Sequence, residues 1–336
     1  MTGTEKWVIS VGNLSTGGTG KSPHIEYLVR LLGDEFRIAT LSRGYGRKTR
    51  GFRMAEATST PEQVGDEPCQ FKQKFPELPV AVAAKRVMGI QALLSDQANL
   101  QSILLDDAFQ HRAVKPGISI LLTEFKRPYF EDQLLPTGNL REWRHGSHRA
   151  DIILVTKTPE AITHIEKREF IHRLRPRAHQ KVYFTHLKYG TLQPLNGMGN
   201  PAKLLSNDYY FERDFGIVWV AGIAHPEYLH QYLETKVSQV KGIPFPDHHV
   251  YSPRDIRKIR KIFDTFGPAE KIILTTEKDA MRLAVPGVSE LIEDLPVFYL
   301  PIEVVFEQKD REPFHEHILS YVRKNQGNSG VPPNKG

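Results

Sequence analysis

Val8 to Leu32 reads VISVGNLSTGGTGKSPHIEYLVRLL, and this stretch decides the fold class. Val8 to Val11 is an apolar strand, Leu14 to Gly20 is rich in Gly, Ser and Thr, and Pro23 to Leu32 spaces its apolar residues as a helix does. Strand, flexible loop and helix is the setting in which a Gly-rich segment cradles phosphate. Small residues let successive backbone N–H groups close around phosphate oxygens, and the helix N-terminus adds partial positive charge. In this reading Ser15, Thr16, Gly17, Gly18, Thr19, Gly20, Lys21 and Ser22 hold the ligand, with Lys21 on the β- and γ-phosphates and the Ser22 hydroxyl on Mg²⁺. The usual G-x-x-x-x-G-K-[ST] pattern wants glycine where Ser15 stands; Gly17 and Gly18 supply the flexibility instead.

Outward from this loop, short aliphatic runs alternate with amphipathic segments, the pattern of strands joined by crossover helices into a parallel sheet. Strands are expected at Trp7 to Val11, Arg37 to Leu41, Val80 to Ala83, Ser102 to Leu105, Ile118 to Leu122 and Asp151 to Val155. Helices are expected at Pro23 to Leu32, Pro61 to Lys74, Lys85 to Ser95 and Pro159 to Leu174. The expected fold is α/β: a P-loop NTPase-like, doubly wound, mostly parallel sheet with a second, smaller α/β domain. The core domain covers 1–185, a linker rich in Gly, Pro and Asn 186–212, the smaller domain 213–325 and a disordered tail 326–336. In the smaller domain FGIVWVAGIA (Phe215 to Ala224) and Lys271 to Thr275 read as strands. His225 to Val237, Pro253 to Phe266 and Glu312 to Lys324 read as helices, the last free to pack back on the core.

Composition narrows the function classes. The 336 residues are 40% hydrophobic and 25% charged, which excludes wholesale disorder and a coiled-coil rod. Lys and Arg number 45 against 39 Asp and Glu, so the net charge is +6. That excess suits nucleotides, phosphorylated substrates or an acidic membrane surface and is too dilute, without a recognition motif, for nucleic acid. The single cysteine, Cys69, excludes an internal disulfide and a Cys-rich zinc site and points to a reducing compartment, the cytoplasm. No apolar stretch reaches the roughly 18 to 20 residues that span a bilayer, so membrane contact is expected to be peripheral.

Two acidic segments bear on chemistry. SILLDD ends an apolar run in Asp106 and Asp107, where a carboxylate orients magnesium or caps a turn; adjacent side chains at a strand end face opposite ways and do not share one role. Asp66, before Glu67 and Pro68, is by itself a helix N-cap signature.

The ordered blocks VGNLSTGGTGKSPH, LSRGYGR, VGDEP, LLDDAFQHR, LREW and TTEKDA, spread from Val11 to Ala280, resemble the tetraacyldisaccharide 4′-kinase family. The resemblance implies an enzyme of lipid A biosynthesis that transfers the γ-phosphoryl group of ATP to the 4′-hydroxyl of an acylated glucosamine disaccharide 1-phosphate. ATP and Mg²⁺ are the implied cofactors. The implied partners are that lipid and the cytoplasmic face of the inner membrane, with no nucleic acid and no obligate protein partner. Lys21 and Ser22 keep the roles that the loop suggests. Asp66 becomes the general base, supported by a histidine of PFPDHHVYSP that matches His248, with His249 as the fallback; a zinc site or a surface pair is the bland alternative. Asp106 and Asp107 resemble the aspartates around magnesium, Asp106 as ligand and Asp107 as catalytic residue. His111 and Arg141 match substrate-binding positions and Glu142 a further metal ligand, although read alone PTGNLREWRHG is only a charged loop.

One departure stands out. Members of that family usually carry an apolar anchor ahead of the phosphate-loop strand, and about seven residues stand there in this sequence. Either the sequence starts internally, or lipid docking falls to basic and aromatic stretches such as KRPYF (Lys126 to Phe130) and WRHGSHR (Trp143 to Arg149). The competing function is a nucleotide switch or membrane scaffold of the partitioning-ATPase type. Thr16 stands where such proteins carry a signature lysine, and TKTP (Thr156 to Pro159) lacks the aspartate of a guanine-specific element.

Overall fold

The strands around the phosphate loop are buried along their whole length instead of alternating, as a sheet covered on both faces requires: Ile38–Ser42, Ser102–Asp106 and Ile152–Thr156 are buried at every position. The structure, a computed structural model, describes residues 5–97, 99–195 and 205–326. Residues 196–204 of the expected linker and 327–336 of the expected tail lie outside the described residues. The described residues form two compact units. Those within Thr58–Gln70 and Lys188–Glu303 make up the second and the rest the first. Asp66 therefore falls in the same unit as His248.

In chain order the elements are β1 (Glu5–Asn13), α1 (Lys21–Gly33), β2 (Ile38–Ser42), β3 (Arg53–Met54), α2 (Pro61–Val64), α3 (Asp66–Lys74), β4 (Val80–Val82), α4 (Arg86–Asp96) and β5 (Ser102–Asp106). Then come β6 (Pro116–Glu124), β7 (Ile152–Thr156), α5 (His164–Leu174), β8 (Lys181–Tyr189), β9 (Gln193–Pro194), α6 (Asn207–Glu212), β10 (Gly216–Ala221), α7 (Glu227–Glu234) and β11 (Val240–Pro244). The chain continues through α8 (Pro253–Thr265), β12 (Lys271–Thr276), α9 (Glu277–Leu283), β13 (Val297–Leu300), β14 (Ile302–Phe306) and α10 (Gln308–Gln326).

The larger sheet has nine strands in the order β14-β8-β7-β6-β1-β5-β2-β4-β3. β1 pairs in parallel with β5 and β6, and parallel pairing continues through β2 and β4 on one side and β7 and β8 on the other; β3 is antiparallel. From β1 the chain runs out to β2, returns to β5, and then crosses to β6 and outward again. Strand order thus reverses at β1, and in an open α/β sheet a ligand binds at the carboxyl ends of the strands at such a point. Val11 is in register with Asp106, so the phosphate loop and the two aspartates leave the sheet side by side. One face of the sheet packs Val8, Leu41, Ile103 and Leu105 against Ile90 and Leu93 of α4; the other packs Leu121, Ile153 and Val155 against Phe170 and Leu174 of α5.

The second unit is built on a five-stranded sheet of order β11-β10-β12-β13-β9, parallel except for β9. α8 covers it with Ile256, Ile259 and Phe263, spaced at helical period, and starts at Ser252, whose hydroxyl accepts from Asp255 N.

Three differences from expectation have a cause in nearby residues. The helix expected over Pro61 to Lys74 is broken at Gly65, whose φ of 99° and ψ of 162° glycine adopts readily and other residues do not. α5 starts five residues later than Pro159, because Thr163 caps it by accepting from Glu166 N. In KRPYF, Tyr129 is buried and Phe130 packs edge-on against Phe170, so those aromatics belong to the core; Trp143 of the second stretch is 71% exposed.

Candidate active site

The loop after β1 turns into α1 through Gly17 and Gly20, both in the left-handed region at φ 96° and 89°. Its first part is tied to a distant segment: Thr16 N donates to Asn139 O (2.7 Å) and Arg141 N to Leu14 O (2.7 Å). Its last part is tied to His24. The Gly20 carbonyl accepts from His24 N (3.2 Å) and lies 2.7 Å from His24 Nδ1. A carbonyl only accepts, so Nδ1 carries the proton, and Nε2 accepts from the Thr185 hydroxyl at 3.0 Å. Because the carbonyl and the next N–H of one peptide plane point opposite ways, fixing Gly20 O directs the Lys21 N–H away from His24.

Burial pushes the His24 imidazole down to about 4, against its bond to the Gly20 carbonyl. The folded state therefore binds fewer protons than the unfolded chain between about pH 4 and 6.5. Stability is complete above 6.5 and falls as pH drops through that window. Over pH 7.5 to 4.5 the His24 contribution is on the order of 2–3 kcal/mol. His24→Asn, which keeps a donor near the Nδ1 position, removes that loss. Denaturant unfolding at the two pH values checks it, and an equal loss in both proteins would overturn the assignment.

Asp106 is buried at the end of β5, while Asp107 has left the strand with φ 47°. Lys21 Nζ lies 3.3 Å from Asn13 Oδ1 and 3.8 Å from Asp107 Oδ1. Arg141 forks onto Asp107, Nη1 to Oδ2 at 3.0 Å and Nη2 to Oδ1 at 2.8 Å, and also reaches the Asn13 side chain. Burial raises the Asp107 carboxyl, but Lys21 and Arg141 outweigh it and hold the group below its usual range. The structure thus brings Lys21, Asp107 and Arg141 together. Buried Arg86 lies behind them, donating to the Ala83 and Asp106 carbonyls at 2.6 and 3.2 Å. His111 is lowered by burial and by the Arg86 and Arg43 charges. Glu142 sits differently: its carboxylate accepts from Arg149 (2.7 Å), Gln110 (3.0 Å) and Arg112 (3.1 Å), so protein donors occupy the oxygens that the resemblance assigns to a metal.

The donor set fits a phosphate chain. Thr19 Oγ1 and Asn13 Nδ2 are buried at this loop with no hydrogen-bond partner among the described residues, and both can donate to anionic oxygen. Ser22 and Asp106, both buried, are the hard oxygen donors magnesium prefers. Among the described residues no group of three or more His, Cys, Asp or Glu is placed to hold a metal ion.

In the second unit, Asp66 opens α3 directly after Gly65 and accepts three bonds on Oδ2: His248 Nδ1 at 3.0 Å, Arg282 Nη2 at 2.6 Å and Arg282 Nε at 3.1 Å. No side chain among the described residues donates to Oδ1. Burial raises the Asp66 carboxyl, but the bonds from His248 and Arg282 prevail and hold it at about 2. The bond to Asp66 raises His248, against burial. His249 instead faces Asp255 at 3.2 Å and stacks on Phe245, so each histidine of the pair has its own carboxylate. Lys278 Nζ meets Glu67 Oε1 at 2.6 Å. Arg282 and Arg86 lie outside the blocks that carry the resemblance, and Lys278 and Asn13 lie inside them with no role assigned from the sequence.

The model of the Tetraacyldisaccharide-1-P 4′-kinase (LpxK) family matches residues 3–323. The chain is 44% identical over 325 residues to a tetraacyldisaccharide 4′-kinase of Phocaeicola vulgatus, covering 96% of this chain and 87% of that one. It is 43% identical over 318 residues to the protein of that name from Flavobacterium johnsoniae, covering 95% and 88%. Its structure is similar to the crystal structure of "apo" form LpxK from Aquifex aeolicus in complex with ATP, with a TM-score of 0.68, 27% identity and coverage of 94% and 88%.

Proposed function

Because this chain belongs to the tetraacyldisaccharide 4′-kinase family, and so is a kinase of lipid A biosynthesis, we propose that it transfers the γ-phosphoryl group of ATP to the 4′-hydroxyl of a tetraacylated glucosamine disaccharide 1-phosphate. The observation that carries the chemistry is the Asp66 carboxylate, held on Oδ2 by His248 and Arg282 with Oδ1 left to meet a hydroxyl. Binding of ATP by the phosphate loop is supported by the left-handed glycines, the buried Thr19 and Asn13 donors and the ATP complex of the Aquifex relative.

Lys21 places a point charge on the β- and γ-phosphates, and Arg141, already bridging Asp107 and Asn13, orients the anion or its acceptor. Ser22 and Asp106 would hold magnesium, which supplies charge neutralisation on the phosphate oxygens. Asp66 orients the hydroxyl and takes its proton. A carboxyl held at about 2 is a weak base, yet it suffices: in a loose phosphoryl-transfer transition state the proton leaves late, when the forming phosphoester has made the oxygen strongly acidic. His248 donates to Asp66 and fixes its direction. Glu142 holds Arg112 and Arg149 in place.

No helix among the described residues is long and apolar enough to cross a membrane. We place the reaction at the cytoplasmic face of the inner membrane, where a lipid acceptor and soluble ATP meet, with exposed Trp143 and its basic neighbours as contact residues. Incubation with Mg·ATP and the tetraacyl disaccharide 1-phosphate in detergent micelles should yield a bis-phosphorylated product by mass spectrometry. ATP consumption independent of acceptor, with no such product, would reject the kinase reading in favour of a nucleotide switch.

A further inference from the structure

The TTEKDA segment has no part in the reaction described so far, yet the helix it opens supplies most of what touches Asp66. α9 is capped by Thr276, whose hydroxyl accepts from Asp279 N (3.2 Å) and donates to Asp279 Oδ2 (2.7 Å). Asp279 is fully buried, and its carboxylate also takes Gly222 N (3.0 Å), Tyr251 OH (3.1 Å) and Arg282 Nη1 (3.0 Å). Arg282 lies one helical turn on, with its side chain 5% exposed. Its Nη1 also donates to Gly222 O at 3.0 Å, a carbonyl that accepts from His248 N at 3.2 Å. The guanidinium thus has one edge fixed to Asp279 and Gly222 and the other closed on Asp66 Oδ2 through Nε and Nη2. A planar fork held at both edges leaves the carboxylate it grips little rotational freedom.

We propose that Arg282, mounted on α9 by Asp279, is a positioning residue for phosphoryl transfer: it locks Oδ2 of Asp66 so that Oδ1 is presented to the acceptor hydroxyl. Lys278, the other cation of the helix, does the same for the neighbouring Glu67, so the segment fixes both acidic side chains at the start of α3. This rests on Asp66 being the residue that receives the hydroxyl. The charged and titratable groups around Asp66 are His248 and Asp247 from their loop, Glu67 and Cys69 on its own helix, and Lys278, Arg282 and Asp279 on α9, with Tyr251 behind Asp279.

Three variants test it in the micelle assay. Arg282→Gln should lower kcat roughly 10- to 100-fold, since a misdirected nucleophile costs about that much. KM for ATP should stay within about twofold, and the acid limb of the kcat profile should move to higher pH as the carboxylate loses its guanidinium. Arg282→Lys, which keeps a charge but not the fork, should restore the acid limb and leave kcat depressed. Wild-type kcat in Arg282→Lys overturns the proposal, and that variant decides the matter if the glutamine variant does not fold. Asp66→Asn separates the two readings: if it keeps wild-type kcat, the Asp66 assignment fails and the mount with it. An inactive Asp66→Asn beside a fully active Arg282→Lys defeats the mount alone.

Discussion

Lys21→Ala is expected to lower kcat for lipid phosphorylation by roughly 10²–10³-fold while the protein remains folded. The ammonium stands at the first position of α1, beside Asn13 and Asp107, and under the proposed function it offsets charge that builds on the transferring phosphoryl oxygens. Its loss leaves the local structure supported, because Asp107 stays forked by Arg141 and the loop stays tied at Thr16 and Gly20. The deficit should therefore appear in kcat, with the melting temperature shifted little, since Lys21 joins no hydrophobic cluster. Lys21→Arg should recover only part of the rate: a planar guanidinium is not a compact point charge and needs more room. Rates measured with labelled ATP, alongside thermal melts, check both variants. Near-normal turnover of Lys21→Ala would remove the loop after β1 from the reaction.

That loop was legible in the sequence because a backbone conformation is written in local residues. Left-handed turns need glycine, and Gly17 and Gly20 stand where the turns occur. The parallel sheet was legible for a similar reason, since strands buried on both faces read as unbroken aliphatic runs. Elements whose identity depends on distant partners were not. β3, β9 and β14 are short edge strands, defined by what they pair with and not by pattern. The candidate site divides the same way. Asp66 meets His248 across 182 residues of sequence and Arg282 across 216. Locally, Asp66 reads as a cap, the histidine pair as a polar loop and Arg282 as an ordinary charge on a helix. Only the resemblance linked the first two, and nothing in the sequence marked the third. Glu142 is similar: its position matches a metal ligand of the family, but the arginines that hold its carboxylate come from segments 30 residues before it and seven after, which no local pattern announces.

Asp66→Asn is expected to lower kcat by roughly 10²–10⁴-fold, the range that general base catalysis contributes, with KM for ATP nearly unchanged. Asparagine keeps the shape and an oxygen able to accept from Arg282 but cannot take a proton. Stability should suffer less than activity, because Arg282 keeps its ion pair with Asp279 at 3.0 Å and is not left as a buried charge without a counter-ion. Asp66→Ala removes the acceptor as well, so its thermal midpoint should fall below that of Asp66→Asn while kcat falls by a similar factor. The pH dependence supplies an independent check. Burial raises the Asp66 carboxyl, yet His248 and Arg282 hold it at about 2, so Asp66 stays ionised between pH 5 and 8 and adds no limb there. His248, raised by its bond to Asp66 against the effect of burial, is the member of the pair that titrates nearer neutrality. Any limb of kcat in that range should then disappear in His248→Gln. A limb that survives the substitution would detach His248 from the reaction, and an Asp66→Asn enzyme with wild-type kcat would leave Asp66 as a structural partner of Arg282 and His248 with no part in proton transfer.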